Sequence, residues 1–135
     1  MLGAINMAFK DEHAVETFKS LISISTEAFK ALQLLNGGAV VALLAYLGQM
    51  VPTAPHLAAQ AALPMALFIG GLVAGTLVYA TSYLTQLALH NENIGNTQYK
   101  GGKHELWLWV SLVLSLVSMG LFAGGAFACL AVLAP

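Results

Sequence analysis

Residues 31–91 read ALQLLNGGAVVALLAYLGQMVPTAPHLAAQAALPMALFIGGLVAGTLVYATSYLTQLALHN and carry no Asp, Glu, Lys or Arg. One segment interrupts the run: Val51, Pro52, Thr53, Ala54, Pro55 and His56, with Pro64 shortly after. Proline has no amide proton to donate, and its ring crowds the preceding turn. Closely spaced prolines therefore stop a helix and favour a reversal. The run divides into residues 31–50 and 63–89. A helix rising about 1.5 Å per residue needs about 20 apolar residues to cross a hydrocarbon layer about 30 Å thick. Both pieces meet that requirement. Residues 106–133, which follow the last charge at Glu105, meet it again. The pattern predicts an all-α integral membrane bundle of three helices.

Composition agrees. Of 135 residues, 59% are hydrophobic and 8% charged, against about 45–50% and about 25% in soluble globular chains. So few charges cannot cover a water-facing surface, and a lipid bilayer is the expected surrounding. The length suits one domain. A secretory leader would place a short apolar stretch just behind a basic start. Here a long segment of mixed charge comes first, so no cleaved leader is expected. An outer-membrane barrel would show short alternating segments, whereas these runs are continuous.

Residues 1–30 form the one water-compatible segment of any length. Val15, Phe18, Ile22, Ser25, Phe29 and Leu32 recur at steps of three and four, which is one face of a helix. Glu12, Glu16, Lys19, Ser20, Ser23, Glu27 and Lys30 occupy much of the rest. Such a helix can lie on a membrane surface or run on into the first span. Asn36, Gly37 and Gly38 bear on that choice. A break there would leave only about 14 residues before Pro52, or about 21 Å, which is too short to span. The helix is therefore expected to continue through both glycines. Residues 1–30 then form an amphipathic N-terminal helix leading into a three-span domain of residues 31–135. Between Pro52 and Pro64 one short helix is expected, capped by Thr53 with Pro55 in its first turn. Residues 91–103 have turn composition.

Lys10, Lys19, Lys30, Lys100 and Lys103 all fall on one side of a three-span topology, and there is no arginine. By the positive-inside rule that side is cytoplasmic. A multi-pass protein of a bacterial inner membrane is expected, with its N-terminus inside and its C-terminus outside. Tyr99, Trp107 and Trp109 lie where an aromatic belt would mark the cytoplasmic interface.

Polar residues recur within the spans. Thr76, Tyr79, Tyr83, Gln86 and His90 follow steps of three and four, giving the second span one polar seam. Ser111, Ser115 and Ser118, then Gly125 and Cys129 around Phe122, do the same for the third. Polar side chains at membrane depth turn toward a partner helix or a cavity. The simplest arrangement sets the two seams against each other inside the bundle. Gly71 with Gly75, and Gly120 with Gly124, are small-xxx-small pairs that let backbones approach closely. They predict tight helix packing without saying which chain supplies the partner.

Catalytic and metal-binding patterns are thin. His13, His90 and His104 share the cytoplasmic side with Glu12, Glu16, Glu92 and Glu105, but no tight ligand spacing links them. No phosphate-binding loop and no Gly-x-Ser-x-Gly elbow is present. Five lysines among six acids make no nucleic-acid patch. Cys129 is the lone cysteine and has no disulfide partner within the chain. No enzyme activity, cofactor or metal is expected. The expected role is a non-enzymatic accessory or scaffolding subunit, joined through its spans to copies of itself or to a larger membrane complex. The alternative is a small channel or pore in which the seam of the second span faces water. In size and span number the chain resembles small three-span phage holins. It departs from them in its uncharged C-terminal tail and its orientation, so the likeness is one of size and span count only.

Overall fold

The computed structural model describes residues 2–50, 52–95 and 103–133, with side chains from residue 12 to residue 132. Tyr99, Lys100 and Pro135, on which part of the interface and orientation reading rests, lie outside the described residues, as does the side chain of Lys10. Among these residues four helices follow one another: α1 (Leu2–Met50), α2 (His56–Gln60), α3 (Ala62–Asn93) and α4 (His104–Leu133). Among the described residues there is no strand. α1, α3 and α4 are each long and apolar enough to cross a membrane.

α1 runs without interruption through Asn36, Gly37 and Gly38, as the length argument requires. At 49 residues it is about 74 Å long, against about 48 Å for α3. α1 therefore overhangs the other helices at its N-terminal end. The helix stops before Pro52, where the carbonyl of Met50 accepts the amides of Thr53 (3.1 Å) and Ala54 (2.8 Å). The Thr53 hydroxyl also donates to Met50 O, at 3.0 Å. Thr53 thus closes the end of α1. It does not cap the next helix, whose N-cap is Pro55, without a side-chain bond. The reason is reach: Thr53 has an orphan carbonyl three residues behind it, whereas the α2 amides begin further on. α2 is the short helix expected in this loop. Ala61 joins it to α3, and Pro64 falls in the first turn of α3, where its missing amide leaves no bond unmade.

α3 packs most extensively on α4, less on α1, and α1 touches α4 least. The core is narrow. Val78, Ala88, Phe68, Ala61 and Ala74 are its buried apolar side chains, joined by Pro64 and by the polar Asn36 and Ser118. The outer face of α4, with Leu108, Trp109, Leu112, Val113, Leu116 and Phe127, is exposed. So large an apolar surface is unsuited to water.

Candidate functional site

The helices meet at a polar junction of Asn36 from α1, Gly71 from α3 and Ser118 from α4. Asn36 and Ser118 are both 0% exposed. Asn36 Nδ2 donates to the Leu32 carbonyl one turn back at 3.0 Å and to Ser118 Oγ at 3.3 Å. Ser118 Oγ donates in turn to the Gly71 carbonyl at 2.8 Å. Turning the amide over would set its oxygen against the oxygen of Leu32, so this chain of donors fixes its orientation. Asn36 Oδ1 is left without a hydrogen-bond partner among the described residues. It points at the Cα of Gly71, where a Cβ would collide with it. The glycine Cα–H offers that oxygen a weak contact. Among the described residues, this junction brings polar groups of α1, α3 and α4 together.

Two further bonds tie α3 to its neighbours. Gln33 Nε2 donates to Thr76 Oγ1 at 3.0 Å, and the Phe29 and Tyr79 rings meet edge to face with centroids 5.9 Å apart. On the other side, Ser111 Oγ meets Thr81 Oγ1 at 2.8 Å within the core. Ser115 turns back on its own helix and donates to the Ser111 carbonyl at 2.8 Å.

The two seams do not face each other. The serines of α4 address Gly71 and Thr81, on the α3 face centred at Val78. A helix turns about 100° per residue. The seam of Thr76, Tyr79, Tyr83, Gln86 and His90 is therefore centred about 120° around the helix from Val78. Its upper part touches α1 through Thr76 and Tyr79. Its lower part is uncovered: Tyr83 is 67% exposed, and Gln86 and His90 are exposed beside it. At the same level of α1, Phe18 and Ile22 are exposed as well.

The glycine pairs divide in a similar way. Gly71 and Gly75 pack within the chain, and a Cβ on Gly75 would lie 3.3 Å from Ser118 Oγ. Gly120 faces open space, and Gly124 has ordinary room, with Leu67 at 3.8 Å from a Cβ. The close approach on α4 is at Gly125, where a Cβ would meet the Phe68 ring at 2.7 Å. Phe68 in turn lies 5.8 Å from Phe122 between ring centroids. Sequence reasoning thus missed Asn36, Thr81 and Gln33 as interhelical partners. An amide inside an apolar run was the available signal for Asn36 and Gln33.

At the other end, Glu92 of α3 clasps the start of α4. Its Oε1 accepts the His104 backbone amide at 2.9 Å, and its Oε2 lies 2.6 Å from His104 Nδ1. The carboxylate thereby caps a helix N-terminus, where amides lack partners and negative charge is favoured. These bonds, the backbone one foremost, hold the Glu92 carboxyl below its ordinary range. Among the described residues no three His, Cys, Asp or Glu side chains converge on a common point. The junction itself offers neutral donors and acceptors and no general base, which suits positioning of helices.

Searches against protein-family models, curated proteins and solved structures found nothing that matches this chain.

Proposed function

We propose that the chain is a multi-pass membrane protein of the bacterial inner membrane, with its N-terminus cytoplasmic, that works by associating through its helices with another membrane chain. A second copy of itself is the first partner to expect. On this reading it is an accessory or scaffolding subunit with no chemistry of its own. One observation carries the proposal: the uncovered lower seam of α3, with Tyr83 67% exposed and Gln86 and His90 beside it. In a bilayer these polar groups would face hydrocarbon or the headgroup boundary, and a neighbouring helix relieves that exposure. Phe18 and Ile22 of α1 extend the same face with apolar surface, so a partner helix there gains dispersion contact along with hydrogen bonds.

A pore built from several copies would use the same seam turned toward water. Among the described residues, Asn36, Val78, Ser118 and Phe68 are buried at the centre of the single chain, which supports a path between copies over one within a chain. Cysteine chemistry separates the cases. In a Cys129→Ser background, Tyr83→Cys should cross-link between copies on oxidation, and Val113→Cys on the outer face of α4 should not. A water-soluble maleimide should reach His90→Cys but not Tyr79→Cys. Labelling of Tyr79→Cys, Tyr83→Cys and Gln86→Cys alike, with ion flux in liposomes, would favour the pore.

A further inference from the structure

We infer that the end of the bundle beside the α1–α2 turn holds one acyl chain of a bilayer phospholipid. The inference rests on the membrane reading above but not on the association of helices. A cavity of about 280 Å³ opens there between Leu43 of α1, Leu57 of α2, Pro64 and Phe68 of α3, and Cys129 of α4. Its lining is apolar throughout. Water entering it would find no partners, and apolar cavities of this kind stay dry yet accept hydrocarbon.

The room is built in. Ala39, Ala42 and Ala61 line the cavity where larger side chains would close it. Of the two rings on its wall, Tyr46 and Phe68, Phe68 is held elsewhere. It lies against Phe122 and in the space left by Gly125. Pro64, locked in the first turn of α3, cannot collapse inward either.

Size and depth point to one acyl chain. A dry engineered cavity of about 150 Å³ holds benzene, so at the same volume per carbon this one takes roughly eleven carbons. The α1 wall runs from Ala39 to Leu47, about 12 Å of helix rise. One leaflet of the hydrocarbon layer is about 15 Å deep, so the cavity matches the upper carbons of a chain whose headgroup remains at the interface near α2.

The test uses the full chain reconstituted with a phospholipid carrying a diazirine on one acyl chain. After illumination, label should appear on Phe68, which is 3% exposed and lines the cavity. Native mass spectrometry should show one retained phospholipid. Ala42→Phe on α1 and Cys129→Phe on α4, which fill the cavity from opposite walls, should each reduce that retention at least several-fold. Phe127→Leu on the exposed face should leave it unchanged. Label confined to exposed residues such as Phe127 and Leu130, with equal retention in both filling variants, would overturn the inference and leave the membrane reading intact. Retention of an isoprenoid in place of a phospholipid would overturn the choice of ligand. Release of the chain from membranes by alkaline carbonate would overturn the membrane reading and this inference together.

Discussion

The side-chain amide of Asn36 occupies the space that a Cβ on Gly71 would need: such a Cβ would stand 2.7 Å from Cγ and 3.0 Å from Nδ2 of Asn36. Gly71→Ala should therefore destabilise the bundle by about 1–3 kcal/mol, the usual cost of overpacking. Removing the obstacle should remove much of the penalty. In the Asn36→Ala/Gly71→Ala double variant the loss is expected to fall short of the sum of the single losses, as contacting residues couple. Gly120→Ala, with open space around it, should stay within about 0.5 kcal/mol of wild type in a monomeric detergent state. Reversible unfolding in mixed micelles measures all four. Strict additivity at Asn36 and Gly71 would show that the two residues do not share this space.

The serines of α4 should be unequal. Ser118→Ala breaks the bond to Gly71 O and removes the acceptor for Asn36 Nδ2, at a cost of about 0.6–2 kcal/mol. Ser115→Ala breaks only a bond to the carbonyl of its own helix, and the loss should be distinctly smaller. Equal losses in the same unfolding assay would argue against the junction as the point where helices are fastened.

The Glu92 clasp should make stability depend on pH in a defined sense. Its carboxyl is held below the ordinary glutamate value of 4.5 by its bonds to His104. A lowered folded-state value means that the contribution is complete above about pH 4.5 and is lost as pH falls through the folded-state value. Wild type should thus melt higher than Glu92→Gln at pH 7, and the gap should close on acidification below pH 4.5. A gap that persists with the carboxyl protonated would mean that charge and capping at Glu92 do not produce it.

Topology rests on the lysines. Reporter fusions near Lys10 and Lys100 should report the cytoplasm, and fusions near His56 and Pro135 the opposite side. An outside signal at Lys100 would reverse the orientation.

Much of the fold was legible in the sequence because membrane-length helices are dictated by simple quantities. The apolar runs gave α3 and α4 to within a few residues, and the length before Pro52 required α1 to pass through Gly37 and Gly38. Azimuth was harder. A seam at steps of three and four tells that Tyr79, Tyr83 and Gln86 share a face, not which neighbour that face meets. The glycine pairs had the same weakness. Gly120 and Gly124 have the right spacing, yet α3 approaches one residue further round, at Gly125. Thr53 could serve either the helix before it or the one after it, and the nearer carbonyl prevailed. Asn36 entered the sequence argument only as a possible helix breaker. Its role depends on a residue 82 positions away, which no local pattern carries.

Native mass measurement of the chain, released directly from lipid nanodiscs, tests the central claim most directly. Wild type should show two or more copies, or one copy with a co-purified membrane chain, and Gln86→Leu combined with Tyr83→Phe should shift the distribution toward the single chain. A wild-type chain that runs alone in lipid, with the double variant indistinguishable from it, would contradict the account.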